Sequence, residues 1–145
     1  IQSVVDDYNN IYKFKKNISI NYQNDGKSEY LINGIENRIE QIVANLLDNS
    51  ISFSNDGSEV IVNVSNGLEK KVIVKILDEG QGFKEKDTSK IFNRFYSNRP
   101  ENFGEHSGLG LNIVKNLVEL HDGKIEASNR LDKQGALIEI KFPSL

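Results

Sequence analysis

The chain has 145 residues, 37% hydrophobic and 27% charged, which suits one soluble compact domain with its own core and indicates neither disorder nor a membrane span. A net charge of −3 with scattered lysines gives no pull on nucleic acid, so a nucleic-acid partner is not expected. Absence of cysteine excludes disulfides and thiolate chemistry and fits a cytosolic setting, and with only His106 and His121 a zinc site would need carboxylates.

The chain opens on Ile1 with no leader pattern, as a segment cut from a longer protein would. Val4, Val5, Tyr8, Ile11 and Tyr12 recur at helical spacing and predict a short helix, or the tail of a longer one. Ile18, Ile20 and Tyr22 alternate with polar neighbours, and Tyr30-Leu31-Ile32 follows the turn Asn24-Asp25-Gly26. The two segments predict a hairpin. From Ile35 to Ile51 the apolar residues keep a helical period that stops before Asn55-Asp56-Gly57. Val60 to Val64 and Val72 to Leu77, joined through Asn66-Gly67, predict a second hairpin at the centre of the sheet. Residues 97–110, rich in glycine and polar side chains, are too long for an ordinary connection and suggest a lid. Leu111 to Leu120 predicts a second amphipathic helix ending at Asp122-Gly123, and strands at Lys124 to Ala127 and Ala136 to Phe142 close the chain. Strands and helices that do not strictly alternate argue for an α+β two-layer sandwich.

Four segments could carry chemistry. Asn45 and Asn49 lie four apart on the predicted helix, with Ser52 and Phe53 one turn on, so they share a face. Alone, that is a solvated polar edge, yet an amide oxygen is also a hard ligand suited to magnesium. Asp78-Glu79-Gly80-Gln81-Gly82, followed by Phe83, places a carboxylate at a strand end. Glu85 stands where a dinucleotide fingerprint needs its third glycine, which leaves an acceptor for an exocyclic amine such as that of adenine. Ile91-Phe92-Asn93-Arg94-Phe95-Tyr96 could anchor a loop. Arg94 and Arg99 are the cations best placed in sequence to reach a phosphate tail. Ser107-Gly108-Leu109-Gly110-Leu111 opens a helix with glycines, where free N–H groups favour phosphate, although a lone pair of glycines is more often only a turn. No Walker-type loop occurs.

In order, these segments resemble the four boxes of the GHKL (Bergerat, HATPase_c) ATP-binding superfamily, specifically the catalytic domain of bacterial two-component sensor histidine kinases. Glu40 to Asn49 is similar to the N box, Asp78 to Gly82 to the first glycine box, Ile91 to Tyr96 to the F box, and Gly108 to Leu111 to the second glycine box. His121 to Ile125, Gly135-Ala136 and Phe142-Pro143 resemble the family's C-terminal pattern, so the likeness covers nearly the whole chain. It implies a mixed sheet of about five strands on three helices, with 1–145 a single catalytic domain whose residues 1–14 end the preceding dimerisation region or its linker. It also implies ATP and magnesium as cofactors. Asn49 would bind the metal that bridges the phosphates, with Asn45 beside it and Ser52 near the phosphates. Phe53 would flank adenine, Asp78 would accept its amine, and Gly80, Gly82 and Phe83 would line the approach. Residues 97–110 would form the ATP lid, with Ser107, Gly108, Leu109, Gly110 and Leu111 near the phosphates.

Ser52 and Ser97 stand where many members carry basic residues, which puts phosphate contacts from those places in doubt and points to Arg94 or Arg99 instead. The run Phe95 to Leu111 resembles the ChvG/ExoS group most. The resemblance further implies partners: a dimerisation and histidine-phosphotransfer domain of the same protein, and a response regulator. The fragment would be monomeric, the full kinase a homodimer, and the domain would lie on the cytoplasmic side of an inner-membrane-anchored sensor. Neither His106 nor His121 stands in a phosphoacceptor context, so the fragment carries no catalytic nucleophile of its own. Two rivals remain. A gyrase- or MutL-like ATPase switch would need a glutamate base where this chain has Asn45, and an amide cannot take that proton. A pseudokinase would bind ATP without transferring phosphate.

Overall fold

The computed structural model describes residues 1–15, 17–26, 29–84, 88–93 and 110–145. Along the chain come α1 (Gln2–Lys15), β1 (Ser19–Gln23), α2 (Glu36–Phe53), β2 (Glu59–Gly67), β3 (Lys71–Leu77), a 3₁₀ turn (Thr88–Phe92), α3 (Gly110–Leu120), β4 (Lys124–Asn129) and β5 (Ala136–Pro143). The strands form one mixed sheet in the order β1-β2-β3-β5-β4, with β1 parallel to β2 and the other pairs antiparallel.

Period-two burial makes the two layers. Val60, Val62 and Val64 of β2, Val72, Val74 and Ile76 of β3, and Ile138, Ile140 and Phe142 of β5 all face the same buried side. The helices bring Ile42, Val43, Leu46, Leu47, Val114 and Val118 down onto them. Burying each such side chain fully stabilises the fold by roughly 1.5–3 kcal/mol before entropy is counted. Val4 and Val5 of α1 belong to this same core.

The predicted first hairpin does not form. β1 pairs in parallel with β2, Ser19 opposite Glu59, while Ile32 makes one isolated bridge to Ser144. Tyr30-Leu31-Ile32 is too short to hold a register, and the long central β2 offers a continuous ladder instead. The outer edge of β1 is closed by a side chain, since Asn9 of α1 accepts from Ile20 N (2.7 Å) and donates to Ile20 O (2.8 Å).

One side chain sets two of the helices relative to each other. His121, just past α3, accepts from Ile35 N through Nε2 (3.1 Å), and its Nδ1 lies 2.7 Å from Leu117 O, so the ring joins the end of α3 to the start of α2. That bond satisfies the backbone N–H of the N-cap residue Ile35, the donor that the N3 side chain takes in a capping box. Both ring nitrogens are engaged with main-chain groups, so His121 is a structural residue here. The pairing also fixes the tautomer, with the proton on Nδ1. His106 lies outside the described residues.

Candidate functional site

The end of α2 and the end of β3 meet. A methyl group added at Gly80 would lie 2.7 Å from the carbonyl oxygen of Phe53, so only glycine lets the turn after β3 pass under the last turn of α2. This contact brings the polar helix face and the strand-end carboxylate into one neighbourhood. On α2, Asn49 and Ser52 are each 7% exposed, while Asn45 and Phe53 are half-buried. Ser52 Oγ turns back onto its own helix and donates to Asn49 O at 2.8 Å.

Asp78 is 3% exposed. Its Oδ1 accepts two main-chain N–H groups, from Gly80 (2.9 Å) and Ala136 (3.0 Å). No described residue bonds its Oδ2. Burial pushes this carboxyl above the usual range, opposed by those two N–H groups and by the charge of Arg130. A nearly buried carboxylate with one oxygen fixed, and the other without a partner among the described residues, can accept a hydrogen bond from a ligand's N–H. It therefore suits the amine of adenine, which is the first test of whether these residues fit ATP.

Several residues that hold this corner were not legible beforehand. Arg130, buried after β4, donates from Nη1 to Asp78 O (3.1 Å) and from Nε and Nη2 to the two oxygens of Asp132 (3.0 and 2.8 Å). That pairing holds the Asp132 carboxyl down at about 2. Glu79 accepts from Glu59 N (2.6 Å) and Lys133 Nζ (3.3 Å), which lowers its pKa, the Glu59 bond most. Asn129 brackets Phe83, accepting from its N–H (2.6 Å) and donating to its carbonyl (3.0 Å), while the Phe83 ring packs on the core. The space beside Gly82, which has φ +77°, is filled by Asn129 Oδ1, and that beside Gly80 by Phe53. At both glycines the room that a side chain would take is thus occupied by protein. The sequence carried no signal for Asn129 or Arg130, because a polar side chain near a turn is usually solvated.

At the other side of the site, Ile91 and Phe92 are buried in the core, and Asn112 Nδ2 donates to Phe92 O (3.1 Å), fastening the first turn of α3 to the 3₁₀ turn. Gly110 begins α3 and Leu111 packs against the core. Arg94, Arg99, Ser107, Gly108 and Leu109, with most of the expected lid, lie outside the described residues.

Among the described residues no three His, Cys, Asp or Glu side chains gather as a metal site. A metal here would have to be held largely by phosphate oxygens, with a single amide oxygen such as that of Asn49 added. Magnesium tolerates such a donor set.

The family described as histidine kinase-, DNA gyrase B- and HSP90-like ATPase matches residues 34–145. The chain belongs to that family. Among curated members, the sensor protein ChvG of Agrobacterium fabrum strain C58 is 37% identical over 98% of this chain, which spans only 25% of that protein's length. Among solved structures, a mycobacterial sensor histidine kinase, MprB, superposes with a TM-score of 0.81 at 24% identity, covering 99% of this chain and 93% of that one. Full-length ShkA in complex with AMPPNP gives a TM-score of 0.82 at 24% identity, over 99% of this chain and 29% of that one. The five-stranded mixed sheet on three helices is thus the fold of histidine kinase catalytic domains, and the α+β sandwich read from the sequence is the one observed.

Proposed function

We propose that residues 1–145 form the catalytic domain of a sensor histidine kinase, which binds ATP with magnesium and offers its γ-phosphoryl group to a histidine on a separate dimerisation domain. That histidine then passes the phosphoryl group to an aspartate of a response regulator. The observation that carries the reading is Asp78, nearly buried, with Oδ1 held by two main-chain N–H groups and Oδ2 unpaired among the described residues. Family membership supports ATP as the guest.

In this reading Asp78 accepts the adenine amine, Phe53 flanks the ring, and Gly80, Gly82 and Phe83 shape the turn beneath it. Asn49 contributes one oxygen to magnesium, with Asn45 and Ser52 on the same helix face. Magnesium, when bound, offsets phosphate charge during transfer. Residues 97–110 form the lid. Arg94, Arg99 and Ser107 to Leu111 supply cations and N–H groups to the phosphates. Phosphoryl transfer asks the protein chiefly for positioning and charge neutralisation, and this set offers both. Asn45 stands where a hydrolase needs a carboxylate base, and an amide cannot serve, which favours transfer to an incoming imidazole over hydrolysis.

Residues 1–14 connect to the dimerisation region. With Val5 in the core, they move with this domain. The isolated domain is monomeric, and the full kinase is a homodimer anchored in the inner membrane with this domain on the cytoplasmic side. No helix among the described residues is long and apolar enough to cross a membrane, so in this reading the anchor belongs to other parts of the protein.

The test has two arms. Calorimetry with magnesium-ATP should show binding to the parent and a loss of about tenfold or more in Asn49→Ala. Radiolabelled ATP should leave this chain unlabelled and label the dimerisation domain when it is supplied. Equal affinity in the variant, or label mapped to His106 or His121, would defeat the reading.

A further inference from the structure

Arg130 is the polar side chain of this corner that no nucleotide could reach. Its side chain is 3% exposed, and its guanidinium hydrogen bonds among the described residues go to Asp78 and Asp132. Its guanidinium lies between two acceptors, the carbonyl of Asp78 on the inner side and the exposed carboxylate of Asp132 on the outer. Its own N–H donates to Gly135 O at 2.9 Å, closing the turn between β4 and β5. Gly135 has φ +150°, and a methyl group there would sit 2.0 Å from Asp78 O and 2.9 Å from Arg130 Cδ, so the turn lies hard against the back of the aspartate. The next residue, Ala136, then gives its N–H to Asp78 Oδ1.

We infer that Arg130 is a positioning residue for base selectivity: it ties the β4–β5 turn to the main chain of Asp78 and so fixes where Oδ2, unpaired among the described residues, points. This rests on the proposal that Asp78 receives adenine. Adenine presents an amine where guanine presents a carbonyl oxygen. A carboxylate held in one orientation accepts from the first and repels the second. A carboxylate whose strand end can shift loses part of the first interaction and relaxes the second. The fork matters as well as the charge, because three donors in one plane must serve Asp78 O and both Asp132 oxygens together. Lysine has the charge without the plane.

The experiment measures dissociation constants for magnesium-ATP and magnesium-GTP by calorimetry on the chain and on Arg130→Lys, Asp78→Asn and the double variant. Val118→Ala serves as a control destabilised in the core away from Asp78. In Arg130→Lys the preference for ATP over GTP should fall about tenfold. The control, although less stable, should keep the parent's preference, and Arg130→Lys should have no further effect once Asp78→Asn is present. An unchanged ATP-to-GTP preference in Arg130→Lys, or an equal loss with and without Asp78, overturns the positioning role alone. A parent that does not bind ATP, or Asp78→Asn binding as tightly as the parent, overturns the nucleotide reading and this inference with it.

Discussion

Replacing Asp78 by asparagine changes one atom's chemistry at the point on which the site depends. Oδ1 already accepts from Gly80 and Ala136, so the amide oxygen of the variant should take that place and leave its NH₂ facing the pocket. The pocket then meets the adenine amine with a donor. The lost bond to a charged acceptor is worth about 1.5–3 kcal/mol, and two opposed donors add to it, so ATP affinity should fall roughly a hundredfold. Stability should change by no more than about 1 kcal/mol, because both main-chain bonds survive and a buried charge is removed. Burial raises the Asp78 pKa in the folded chain. Its contribution to stability is therefore present below the ordinary carboxylate pKa and lost as pH rises through the raised value, a loss that Asp78→Asn should abolish. Calorimetry with ATP, paired with urea unfolding across pH, reads both effects. An affinity loss under about threefold in a folded variant would refute the reasoning.

Other parts of the structure give equally definite expectations. Gly135→Ala places a methyl group 2.0 Å from Asp78 O, and the backbone must move, so the variant should lose about 3 kcal/mol or more in urea unfolding, against about 1–2 for Gly57→Ala, which lies in open space and has only the strain of its positive φ. His121→Ala strands Ile35 N–H and Leu117 O and should cost about 2–4 kcal/mol. ATP affinity should hold, because His121 binds the start of α2 and the site residues Asn45, Asn49 and Phe53 lie about 15 to 27 Å further along the helix. Asp132 and Glu79 have lowered pKa values, so their stabilising pairings are complete above their ordinary values of 3.8 and 4.5; the Asp132 pairing is lost as pH falls toward about 2, and that of Glu79 as pH falls through its own lowered value. In Asp132→Asn the acid-side decline of the urea midpoint should be shallower than in the parent.

The sequence was most readable where periodicity alone decides the element. Ile35 to Ile51 predicts α2 nearly to its ends, and the alternating valines predict β2 and β3. The turn between them is not where the sequence suggests: Asn66 and Gly67 belong to β2, opposite Val72 and Lys71, and the chain reverses at Leu68-Glu69-Lys70, where Glu69 and Lys70 take positive φ. The sequence also misled at Tyr30-Leu31-Ile32, because a three-residue apolar run has a period but no partner of its own. The parallel pairing of β1 with β2 depends on long-range packing. Asp78 could be picked out through the run Asp78-Glu79-Gly80-Gln81-Gly82 and its likeness to the first glycine box, since a carboxylate at a strand end is by itself an ordinary turn residue. Arg130, Asn129 and Asn9 could not, since each looks like an ordinary turn or helix-surface residue until the fold brings main-chain groups to it. Gly135 could be quoted as part of a pattern, but its reason, contact with the back of Asp78, exists only in three dimensions.

The most direct measurement is a crystal structure of this chain with magnesium and a non-hydrolysable ATP analogue. The account predicts the adenine amine within hydrogen-bonding distance of Asp78 Oδ2, and the metal coordinated by the phosphates and by Asn49. A nucleotide seated elsewhere on the sheet, with Asp78 Oδ2 bonded only to water, would contradict it.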